Sequence, residues 1–282
     1  MPAGESLESS MSKARELEKI YDWMGAVELY RAALRIVPVQ DVLKAAEIHE
    51  RIGYGFFRAA TQADSVEEFK KRMRMSVESY EKAAELFEKV EPARGLYCRA
   101  MARYSDSWFI ENPSKKMELL GDCWRLLKDA LEGFDATGDH LSYGKAFKDL
   151  ASCLLDRFSF EENWRERKRI VDEVIKYGQN AIAKLSQIGD QYELAWAYIW
   201  TSYLVTMGLP LFEERTGELI SMISNYLQKA SRLSEKIEDA YFVTFLYGVS
   251  LINYPNFVDD LQVATRYAEK MLQQSEKSND HF

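Results

Sequence analysis

Chemistry borne on a helix needs partner side chains one turn apart, and His49-Glu50 is the first pair to test. The helix-borne zinc motif requires a second histidine four residues beyond His49, where Gly53 stands instead. His140 and His281 are isolated, and Gly53-Tyr54-Gly55 is only a fragment of a dinucleotide fingerprint. Neither a nucleophile elbow nor a phosphate-cradling glycine loop is present. Asp259-Asp260 lacks the further aspartate with which some all-helical synthases hold magnesium. No catalytic, cofactor or metal set emerges, so the expectation is a protein that is not an enzyme.

What remains are charges and rings suited to recognition. Arg99 and Arg103 share a helix face, as do Lys145 and Lys148. Cations so placed suit a carboxylate or an acidic peptide segment, or else they pair with Glu and Asp of adjoining helices. Trp196, Trp200 and Tyr203 are open to two readings, a ligand-facing patch or a helix–helix core contact. Two basic clusters, Lys70 to Arg74 and Arg165 to Arg169, lie beside Glu67, Glu68, Glu161 and Glu162. They read as solvated helix faces: the chain carries a net charge of −8, which opposes binding to a nucleic-acid backbone.

These residues need elements to hold them. Hydrophobic residues make up 47% and aromatic residues 13% of the 282, enough for a large packed core. Cys98, Cys123 and Cys153 are an odd number at wide spacing, which suggests neither a disulfide framework nor a zinc set, and the first ten residues lack the pattern of a secretory signal. A cytoplasmic location follows as the default. Two runs, Leu194 to Phe212 and Ala240 to Val258, each hold 19 residues without a charge. Both contain several Tyr, Ser or Thr and end near a proline, so they read as buried helices and not as membrane spans.

Proline punctuates the chain, since inside a helix it costs about 3 kcal/mol. Pro38, Pro92, Pro113, Pro210 and Pro255 delimit helix-length pieces, and no stretch alternates like a strand. Twelve helices are predicted, over 5–21, 24–37, 41–61, 64–90, 93–110, 114–136, 140–158, 161–187, 191–207, 211–236, 240–253 and 257–278. Capping boxes are expected at Asp64/Glu67 and Ser159/Glu162. The segments ending in Asp139, Asp190, Asp239 and Asp280 resemble one another, each closing an amphipathic turn before a new helix. This repetition argues for helix pairs that stack because none can bury its apolar faces alone.

At this level the chain resembles a tetratricopeptide-repeat protein. Ala26, Tyr30, Ala33 and Pro38 stand at the family spacing, as do Ile52-Gly53, Phe56, Ser76, Tyr80 and Ala83. Phe147, Leu150-Ala151, Leu154 and Ala181 continue the pattern. The period of about 41 to 54 residues exceeds the family's 34, nearer to long-helix relatives such as the SNAP adaptors or the solenoid segments of bacterial and archaeal regulators. The resemblance implies an all-α fold, a right-handed superhelix of about six antiparallel helix pairs. It covers residues 1–282 as one domain, with residues 1–10 as a flexible tail.

It also implies that the first helix of each pair lines a concave groove. That register selects Glu47, Glu50 and Tyr54, then Arg99, Arg103 and Asp106. Lys145, Lys148 and Ser152 follow, and then Trp196, Ile199 and Tyr203. The implied function is a scaffold or adaptor binding a protein or peptide segment, with acidic segments the best match to the cations. The alternative is a regulatory sensor domain of a larger protein that binds a small molecule or signalling peptide. Self-association is a further alternative, and His281-Phe282 read as the opening of a repeat that is cut short.

Overall fold

The computed structural model describes residues 6–253, residue 265 and residues 268–273. The helix expected over 257–278 lies largely outside them, as do Pro255, Asp259-Asp260, Asp280, His281 and Phe282. The described residues form an all-α, helix-pair repeat. Its helices are α1 (Leu7–Lys19), α2 (Trp23–Leu34), α3 (Val42–Thr61), α4 (Val66–Phe87), α5 (Pro92–Ser107) and α6 (Pro113–Thr137), then α7 (His140–Phe160), α8 (Trp164–Ile188), α9 (Gln191–Gly208), α10 (Thr216–Ser234) and α11 (Ala240–Ile252). Helix α1 begins at Leu7 and already buries Ser10, within the segment expected as a tail. The chain divides into two compact units, one ending at Gly133 and the other beginning at Phe134.

Local chemistry explains the boundaries. Pro92 and Pro113 each open a helix, where a missing N–H is no loss. Pro210 falls in a short 3-10 turn, Leu209–Leu211, between α9 and α10. Acidic residues that seemed to close one helix cap the next. The carboxylates of Asp139, Asp190 and Asp239 accept from the backbone N–H of Ser142, Glu193 and Phe242 at 2.9–3.0 Å. Asp22 and Asp41 do the same for α2 and α3. Gly138 and Gly189 stand just before two of these caps with φ of 70° and 72°, where a side chain would be strained. Replacing Asp190 with Ala is expected to cost about 1 kcal/mol in urea unfolding, because an orphaned N–H at the start of α9 loses its acceptor.

Two expected caps are corrected. Ser65 caps α4 through the N–H of Glu68 at 3.2 Å, one residue after Asp64. Asn163 caps α8, whereas Ser159 sits in the last turn of α7 with its hydroxyl donating to the Leu155 carbonyl.

In the first unit, consecutive hairpins are tied across their interfaces. Glu18 of α1 accepts from Arg51 of α3 and from the Tyr30 hydroxyl of α2. Glu50 of α3 accepts from Arg94 of α5 at 2.8 Å. Phe57 of α3 meets Tyr104 of α5 and Trp108 just beyond it, with ring centroids 5.9 and 5.5 Å apart. Burial is deep: Tyr30, Phe56, Tyr80 and Phe87 are all 1% exposed or less.

The second unit repeats the scheme. Asp135 of α6 pairs with Lys184 of α8, and Asp172 of α8 with Arg215 before α10. Thr206 of α9 donates to Asn253, just beyond α11, at 2.6 Å. Within each unit these ties between successive hairpins join residues 33 to 51 positions apart, the spacing expected of hairpin-on-hairpin stacking in sequence order. The run from Leu194 is helix α9, with twelve buried residues. Among the described residues, no helix is long and apolar enough to cross a membrane.

Candidate functional site

The residues selected for recognition fall in both units. In the first, Arg99 pairs with Glu88 and Arg103 with Glu81 at 2.8 Å, so α5 cations neutralise carboxylates at the end of α4. Arg94 adds a stronger tie. Its guanidinium meets Glu50 and Glu91 and lies 4.4 Å from the centre of the Phe87 ring. The same network holds Glu47 within 3.8 Å. Tyr54 packs edge-on against Trp23, 5.5 Å away. Here the inner-face register reads as inter-helix ion pairs more than as open binding groups.

His49 belongs to the same unit. Burial, and then the charge of Lys82, push its imidazole below the ordinary histidine range. The unfolded chain thus takes up a proton near pH 6.5 that the folded imidazole resists. Stability is therefore expected to be full above that pH and to fall as pH drops through the window below it. His49→Gln should flatten this dependence in urea titrations at several pH values; an unchanged slope would show that the imidazole plays no part.

In the second unit α7, α9 and α11 lie side by side. Lys148 of α7 sits 3.6 Å from the Glu193 carboxylate of α9 and 5.9 Å from the centre of the Trp196 ring. Lys145, three residues earlier on α7, is exposed and has no carboxylate partner among the described residues. Ser152 is half-buried, and its hydroxyl donates to the Lys148 carbonyl.

Trp196 is 3% exposed and Ile199 fully buried, both in the core between hairpins. Trp196 lies against Phe242 at 5.1 Å and Phe245 at 5.5 Å. Tyr203 is half-buried, 5.6 Å from Phe245, and burial together with the charge of Asp156 raises its hydroxyl pKa. Glu193 is 6% exposed, and one of its carboxylate oxygens has no hydrogen-bond donor; the Trp196 indole N–H likewise has no acceptor.

The reading of the sequence missed Tyr241 and Phe245, which complete the ring cluster on α11 and are half-buried. The signal was there. The step from Asp190 to Asp239 carries Tyr192 onto Tyr241 and Trp196 onto Phe245. Glu193 was also missed, because a buried acid in a first helical turn looks like ordinary dipole complementation. Among the described residues no three His, Cys, Asp or Glu side chains gather into a metal-binding group.

No protein-family model and no curated protein matches this chain. Among solved structures it is similar to one titled "Circular tandem repeat protein with novel repeat topology and enhanced subunit contact surfaces", at 13% identity and a TM-score of 0.39, over 96% of this chain and 69% of that one. It is also similar to a chain from "Computational Design of Self-Assembling Cyclic Protein Homooligomers", at 12% identity and a TM-score of 0.23, over 98% and 92% of the two chains. At those scores neither likeness bears on function, and the description that stands is an all-α chain of stacked helix pairs.

Proposed function

We propose that this chain is a non-enzymatic interaction module that holds a peptide or protein segment along the first-helix face of its second unit. The observation that carries this reading is the adjacency of α7, α9 and α11, which leaves Lys145, Tyr203, Tyr241 and Phe245 at least partly open to solvent on neighbouring helices. Half-exposed rings over a buried aromatic layer give contact area at low entropic cost. Lys145 and Lys148 stand near the N-terminal ends of α7 and α9, where helix dipoles also favour negative charge. The Asp156 end of the same face suits a cation. A bound segment thus runs with its acidic residues towards Lys145. Cys98, Cys123 and Cys153 are buried and form no disulfide among the described residues, which suits a reducing, cytoplasmic setting.

The test is selection of displayed peptides on the immobilised protein, repeated with Lys145→Glu/Tyr203→Ala. Enrichment of acidic, aromatic-containing peptides that is lost in the variant supports the reading. Equal enrichment on both proteins sinks it.

A second reading, a sensor for a small polar molecule, has one observation in its favour. The Glu193 oxygen that faces Lys148 at 3.6 Å lacks a hydrogen-bond donor, and the Trp196 N–H one turn on along α9 lacks an acceptor, so a polar ligand could complete both. Thermal-shift screening against metabolites tests it, since a ligand raises the melting temperature by mass action.

A further inference from the structure

Among the described residues, most cations that reach another helix face a carboxylate. Arg51, Arg94, Arg99, Arg103, Lys184 and Arg215 all do. That is the expected outcome where Asp and Glu number 45 against 37 Lys and Arg. The start of α8 breaks the pattern. Arg165, Arg167 and Lys168 have no carboxylate partner among the described residues. Each lies on an aromatic ring instead: Arg165 is 5.4 Å from the centre of Trp164, Arg167 is 5.1 Å from Phe158, and Lys168 is 4.9 Å from Phe212. One guanidinium nitrogen of Arg167 is buried with no acceptor.

These charges do not serve their own helix. Arg165 and Arg167 flank Glu166 in the first turn, where cations oppose the helix dipole and acids are the stabilising choice. A local rule broken in this way marks a position kept for another purpose. The neighbouring apolar residues point the same way. Trp164 is 57% exposed and Phe160 47% exposed, at the turn joining α7 to α8. Exposed tryptophan beside arginine is the composition of an interface core.

We propose that this surface, made of Phe160, Trp164, Arg165, Arg167 and Lys168, docks a short acidic segment of a protein partner. Trp164 is its apolar anchor, and the three ring-laid cations receive the partner's carboxylates. Charge complementarity limits the occupant to a short segment. Glu161, Glu162 and Glu166 border the cations in sequence, so an extended polyanion such as duplex nucleic acid or an anionic bilayer meets repulsion beyond them. Laying a guanidinium on a ring leaves its edge N–H groups free to donate to a carboxylate. The proposal is independent of the first-helix face, because it uses other side chains at the turn end of the hairpin.

The test uses the whole chain and a fluorescein-labelled peptide of five alternating Asp and Glu residues ending in Phe. Anisotropy should show saturable binding that weakens as salt rises from 50 to roughly 300 mM. Trp164→Ala should weaken it at least tenfold, and Arg165→Glu should abolish it. Both positions are exposed, so circular dichroism should remain unchanged. Lys145→Glu/Tyr203→Ala should leave this binding intact, which separates the surface from the first-helix face. Absence of binding, or equal binding to Arg165→Glu, overturns the proposal. So does Arg165-dependent co-sedimentation with phosphatidylserine vesicles, or Arg165-dependent retention of a DNA duplex.

Discussion

Phe147→Ala lowers the unfolding free energy by about 3–5 kcal/mol, as large-to-small changes at fully buried aromatic sites do. Phe147 is 0% exposed in the middle of α7, and its ring tip closes on Gly178 of α8, where an added Cβ would lie 3.0 Å from it. The same spot on Gly178 would be 2.2 Å from the Thr201 hydroxyl of α9. One glycine thus lets two hairpins meet at a single point, and the ring fills the space beside it. Removing the ring leaves a cavity at a junction of three helices that cannot collapse without shifting α9. Denaturant unfolding measures the effect. A loss below about 1 kcal/mol would mean that α7 and α8 close over the gap, and that the junction is softer than its geometry implies.

Gly53→Ala is the second large effect, and its sign is informative. By helix propensity alone, alanine stabilises a helix interior by about 0.5–1 kcal/mol. In α3 the new Cβ would lie 2.8 to 3.0 Å from three carbons of the Tyr80 ring, which is 1% exposed in α4. The ring has nowhere to go: the Ser76 hydroxyl, one turn away on α4, donates to the Gly53 carbonyl at 2.8 Å and holds the helices together. Overpacking should therefore win, with a net loss of about 1–3 kcal/mol. Gly53→Ala/Tyr80→Leu should lose less than the two single changes added together, because the smaller side chain removes the collision. Strict additivity, or a stabilised Gly53→Ala protein, would show that α3 and α4 are less closely opposed than described.

The helices were legible because prolines and apolar periodicity act locally. Pro92 and Pro113 open helices where their missing N–H is harmless, and the segments between breaks carry the 3.6-residue stripe that a shared core requires. Capping was legible only to within a few residues. Asp64 and Ser65 are both good N-caps, as are Ser159 and Asn163, and the choice falls to backbone geometry that spacing does not encode. The aspartates at 139, 190 and 239 were recognised as repeat marks, although their physical role, accepting from the next helix, shows only in the fold.

The candidate site was less legible, for a related reason. Whether Arg103 faces a groove or Glu81, and whether Lys148 faces solvent or Glu193, depends on which helices become neighbours. Repeat spacing predicts that neighbours exist but gives their rotation only roughly. An error of one position moves a residue such as Ile199 from an inner surface into the core. The ring cluster of α9 and α11 lies nearer to being readable, since the interval from Asp190 to Asp239 superposes its aromatic positions.

Stacking is the claim on which the rest depends, and the isolated hairpin tests it most directly. Residues 140–188, prepared alone, contain both helices of the α7–α8 hairpin, the fourth pair along the chain, yet lack the faces that α6, α9 and α10 provide. Thermal melts followed by circular dichroism should show weak helicity and no cooperative transition. Native-like ellipticity with a sigmoidal melt would contradict the account, because a hairpin stable by itself has no need of its neighbours.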